Sequence, residues 1–82
     1  QAQAIADAVK RPWVEVHSVL NGNYTFKFQG DYVVGDDILL FETTYGIKWE
    51  LGAHFTIDAS TKTVTFLSHM VEDLTFKMIN LG

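Results

Sequence analysis

The stretch Asn21-Gly22-Asn23-Tyr24-Thr25-Phe26-Lys27-Phe28 decides the fold class. Tyr24, Phe26 and Phe28 alternate with Thr25 and Lys27, the period of a strand with one apolar face. Asn21-Gly22-Asn23 ahead of it is a strong hairpin signal, because Asn and Gly tolerate positive φ. On the N-terminal side, Trp13 to Leu20 carries Val14, Val16 and Leu20 on one face and Glu15, His17 and Val19 on the other. On the C-terminal side, Gln29-Gly30-Asp31 and Gly35-Asp36-Asp37 are turn sequences on either side of Tyr32-Val33-Val34.

The same period continues downstream. Ile38 to Glu42 is a nearly continuous apolar run, as in a strand covered on both faces. Thr43 to Gly46 is a polar tip, and Ile47-Lys48-Trp49-Glu50-Leu51 alternates again before Gly52 breaks the pattern. Phe55 and Ile57 share a face, the turn Ala59-Ser60-Thr61-Lys62 follows, and Val64 and Phe66 point inward from the next strand. Ser68 to Asp73 is a connection partly covered at Met70 and Val71, and Leu74, Phe76 and Met78 form the last strand. About seven short strands separated by turns at 8–12-residue spacing predict a small antiparallel β-sandwich or barrel. Parallel βαβ units would need crossover helices for which the chain has no room.

The first residues read differently. Gln1 to Lys10 is rich in Ala, the best helix former, with Ala2, Ile5, Ala8 and Val9 in a narrow apolar stripe. Pro12 disfavours helical geometry at Arg11 and stops the helix there. The expected organisation is one N-terminal α-helix over 1–11 as stalk or linker, then a β domain over 12–82. A ten-residue helix is too short to stand alone in water, so it packs on its own domain or on copies of itself. The helical pattern starts with neither an initiator Met nor a cap, which reads as a piece of a longer protein.

Composition narrows the function classes. Eighty-two residues form one domain, and a domain this small buries only about 60–65% of the surface its unfolded chain exposes. Such domains lean on disulfides, a metal or association. The chain has no cysteine, which removes disulfides and thiolate metal sites and leaves association. A net charge of −4 with scattered lysines argues against a nucleic-acid partner, and no apolar run approaches the length of a membrane span.

No catalytic constellation emerges. His17, His54 and His69 lack the spacing of metal motifs, and Asp31, Asp36 and Asp37 are what a Gly turn uses in any case. Nothing in the sequence sets two of Glu15, Glu42 and Glu50 across a cleft as glycoside hydrolysis requires. There is no nucleophile elbow and no phosphate loop. Asn23-Tyr24-Thr25 matches a glycosylation sequon at a turn where Asn is expected for its backbone geometry alone. The expectation is therefore no catalytic residue, no metal and no cofactor. Eleven residues are aromatic; the phenylalanines and Trp49 fall at inward strand positions, whereas Tyr45 sits at a loop tip that suits sugar stacking or a protein contact.

From Asp37 onward the order of features resembles a module of bacteriophage tail-fibre and virion-appendage proteins. The matching pieces are Asp37-Ile38-Leu39-Leu40-Phe41, Tyr45-Gly46-Ile47, Leu51-Gly52, His54-Phe55-Thr56-Ile57-Asp58, Lys62-Thr63-Val64-Thr65-Phe66 and Glu72-Asp73-Leu74-Thr75-Phe76-Lys77, a little over half the chain. Lys48-Trp49-Glu50, between the Gly turns, is bulkier and more charged than that pattern. The resemblance implies a virion structural module of a tail fibre, baseplate or head fibre. Such a module is often trimeric and contacts other virion proteins and a host surface glycan or protein. On that reading Ala2, Ile5 and Val9 line a homotrimer interface, but the family carries no fixed binding residues to transfer. Tyr45, for its loop-tip exposure, and Trp49, on the carbohydrate-binding alternative, are the ligand-binding candidates. The competing expectation is a carbohydrate-binding module of a secreted protein.

Overall fold

The structure, a computed structural model, describes residues 12–35 and 37–82. These residues are mainly β, with seven antiparallel strands and no helix: β1 (Trp13–Val19), β2 (Thr25–Lys27), β3 (Ile38–Glu42), β4 (Ile47–Trp49), β5 (Phe55–Asp58), β6 (Thr63–Phe66) and β7 (Leu74–Asn80). The helix expected over 1–11, with Ala2, Ile5 and Val9, lies outside the described residues.

The strands form a four-stranded sheet ordered β1-β7-β3-β4 and a three-stranded sheet ordered β2-β6-β5. Their inner faces share one core. Val19, Leu40, Phe76 and Met78 come from the larger sheet and Phe26, Phe55, Val64 and Phe66 from the smaller, with Phe28 and Met70 from the connections. Rings dominate the seam: Phe66 lies 4.9 Å from Phe76 and 5.9 Å from Phe26, centroid to centroid. The alternation of β5, β6 and β7 points the way the sequence predicts, because each strand has one unambiguous apolar face.

Four expectations change. Asn21-Gly22-Asn23 does turn the chain, with Gly22 at φ 91° and the Asn23 amide donating to Leu20 O, but it makes no hairpin. β1 pairs with β7 and β2 with β6, so the turn carries the chain between sheets, held by exchange of backbone bonds with Met70. Tyr24 is exposed and β2 is only three residues long, although the alternation reads on to Phe28. Phe41 is the one phenylalanine off the core; it pairs with Lys77 and Lys48, on the outer face. β3, expected to be covered on both faces, is covered on one among the described residues: Leu40 and Glu42 are buried, Leu39 and Phe41 only half so.

β1 is oriented against simple hydrophobicity, with Val14 and Val16 outward and Glu15 and His17 inward. The polar groups are satisfied inside. The Glu15 carboxylate accepts from the Gln29 and Gly30 amides and from His17 Nε2, and the His17 ring stacks on Phe26 at 4.6 Å. Burial opposes the charge of Glu15, but the bonds from His17, Gly30 and Gln29 outweigh it and hold its pKa below the usual glutamate value. Through Glu15, the edge of the larger sheet is tied to the connection leaving β2.

Candidate binding site and assembly face

The β3–β4 turn, Thr43 to Gly46, is fixed from beneath. Glu42 is fully buried, and its carboxylate accepts the backbone amides of Thr44 and of Tyr45, the latter at 2.8 Å. A buried carboxylate bonded to its own turn fixes that turn's shape. Tyr45 therefore stands on a rigid tip, 62% exposed, and its hydroxyl donates to Glu72 Oε1 at 2.7 Å. That bond, followed by the charge of Glu72, raises the Tyr45 pKa above the ordinary tyrosine value.

Glu72 belongs to the β6–β7 connection, which walls a mostly apolar pocket of about 300 Å³. Trp49, Leu67, Met70, Val71 and Leu74 supply apolar surface, and His54, Ser68, His69 and Glu72 supply polar groups. Trp49 has two roles: it packs edge-on against Phe66 and Phe76 at 5.4 and 5.1 Å and also lines this pocket. His54 is held by the Glu50 amide donating to its Nδ1 at 2.9 Å, so the neutral ring carries its proton on Nε2. Tyr45 and Trp49, the two ligand candidates of the sequence, are thus brought to one region, with Glu72 as the link.

No sequence pattern marks the pocket's far wall. Ser68 to Asp73 lacks strand or helix periodicity, and its course is set by distant bonds: the Met70 amide to Asn23 O, the Leu67 amide to His54 O and the Asn21 amide to Asp73 Oδ1. Met70 is pulled into the core as expected, but Val71, expected to be partly covered as well, stands out with Leu67 as an exposed apolar ridge. Among the described residues no group of three or more His, Asp or Glu side chains is arranged to hold a metal ion.

The outer faces of the two sheets differ in kind. The smaller sheet shows water a ladder of Thr25, Thr65 and Thr56 beside Lys27, Thr63 and Asp58, as a solvated face should. The larger sheet shows one row of Val14, Ile79 and Leu39 and a second of Val16, Lys77, Phe41 and Lys48. Val14 and Val16 are exposed, and Leu39, Phe41 and Ile79 are half-buried. None of these five apolar residues belongs to the core or packs against it.

Comparison of the chain with protein-family models, with curated proteins and with solved structures finds no match.

Proposed function

We propose that this chain is an assembly and recognition module rather than a catalyst, serving in a bacteriophage virion as part of a tail fibre, baseplate or head fibre. The virion setting rests on the resemblance from Asp37 onward. Assembly rests on one observation, the apolar outer face of the four-stranded sheet beside a threonine-lined face on the other sheet. A solvated sheet face alternates polar residues with buried ones; a contiguous apolar patch on it marks a protein contact. The module associates as a homotrimer, packs against other virion proteins and meets the host surface through its loops, with Tyr45 foremost. Light scattering tests this: the mass should be three times the 9.3 kDa of one chain. A single-chain mass at micromolar concentration sinks the reading.

A second reading, a carbohydrate-binding module of a secreted protein, is favoured by the Trp49 pocket. An indole wall with His54, His69, Ser68 and Glu72 around it suits a ligand with one apolar face and a polar edge, such as a pyranose ring. Quenching of tryptophan emission by a polysaccharide, lost in Trp49→Ala, supports it; unchanged emission across a glycan panel removes it.

A further inference from the structure

We propose that the outer face of the four-stranded sheet seats the Val71-Glu72-Asp73 loop of a second copy of this chain, head to tail. The inference rests on the assembly reading above and names the surfaces that meet. Two observations select the occupant. The first is the charge at the centre of the face. Lys77 stands in the row between Val16 and Phe41, with Lys48 beyond Phe41. Lys48 has Glu50 at 3.4 Å, but among the described residues Lys77 has no carboxylate within ion-pair distance. Two copies packed face to face about a twofold axis would bring like charges together as the face is desolvated, which is costly.

The second observation is a surface on the same chain with the complementary pattern. Val71 is 82% exposed, Leu67 stands exposed beside it, and Glu72 and Asp73 follow directly. Apolar side chains flanked by carboxylates match apolar side chains flanked by ammonium groups. Each carboxylate uses one oxygen within its own chain, Glu72 Oε1 for Tyr45 and Asp73 Oδ1 for Asn21, and among the described residues no hydrogen bond engages the other. Because the two surfaces differ, each copy offers one of each, and a contact of this kind closes into a ring when the rotation permits. It also supplies the second cover that the apolar run Ile38 to Phe41 calls for. In the ring the Trp49 pocket faces the neighbouring copy, since the same loop walls it.

The test is complementation between two variants of the full chain. Val16→Glu spoils the face and Val71→Glu spoils the loop; both positions are exposed in the single chain, so each variant should keep the circular-dichroism spectrum of the folded wild type. Alone, each should lose association and sediment as a single chain. Mixed in equal amounts they should form a two-chain species, because one intact face still meets one intact loop. As a second pair, Lys77→Glu should weaken association and Glu72→Lys in the same chain should restore it. Mixed variants that stay single, or a Val71→Glu chain that assembles like the wild type, overturn the head-to-tail contact; if the wild type still assembles, the assembly reading stands. A wild type that remains a single chain overturns both.

Discussion

Glu15 Oε1 and His17 Nε2 meet at 2.7 Å on the inner face of β1, two positions where a sandwich normally places apolar side chains. The pair is kept there by the Gln29 and Gly30 amides, which donate to the same carboxylate. Because the folded pKa of Glu15 is depressed, its contribution is present above the unfolded value near 4.5 and is lost as pH falls through the folded value. Chemical unfolding followed from neutral to acid pH should show stability declining below about pH 4.5, with a shallower decline in Glu15→Gln. Glu15→Ala, which leaves two amides without their acceptor, should cost about 1–3 kcal/mol at neutral pH.

Gly30 is required by close approach. A Cβ there would lie 2.3 Å from Trp13 Cε2 and 2.4 Å from Cδ2, inside the indole. Gly30→Ala must push Trp13 outward and break its Nε1 bond to Asp31 O, now 2.7 Å. The expected loss is about 1–3 kcal/mol, read by thermal melting, with tryptophan emission shifted to the red as the ring meets water.

Phe76 joins the two halves of the core. It lies on β7, which pairs with both β1 and β3, and its ring meets Trp49 and Phe66. Phe76→Ala should cost about 3–5 kcal/mol, a large part of the total stability of a chain this small. A melting temperature that hardly moves would contradict the placement of this ring.

At the tip, the Tyr45 hydroxyl ionises above the ordinary tyrosine value because Glu72 accepts its proton bond. Glu72→Gln should bring the titration of Tyr45, followed by tyrosinate absorbance, back towards about 10. The stability of the single chain should change little, since both groups are exposed there.

The parts of this fold legible in sequence are those where apolar spacing alone fixes a face. Phe55 with Ile57, Val64 with Phe66, and Phe76 with Met78 each allow one orientation, and the exposure of Tyr45 follows from its turn. What was illegible depends on partners far along the chain. Glu15 and His17 face inward only because amides 14 and 15 residues away satisfy the carboxylate. The Asn21-Gly22-Asn23 turn passes between sheets because Met70 takes up its backbone bonds. Trp49 reads both as core from its alternation and as a ligand candidate, but the pocket it walls is set by a loop without periodicity. Phe41 and Leu39 look like core from composition, yet within one chain they meet solvent in part.

The central claim is that the face carrying Val14, Val16 and Ile79 is covered in solution by another copy. Methyl NMR with a soluble paramagnetic probe reads this directly on the full chain. The methyl signals of Val14, Val16 and Ile79 should be protected at assembling concentrations and attenuated on dilution, while those of Thr25, Thr56 and Thr65 on the opposite sheet are attenuated throughout. Attenuation of the Val16 methyls as strong as that of Thr65 at every concentration would contradict the account.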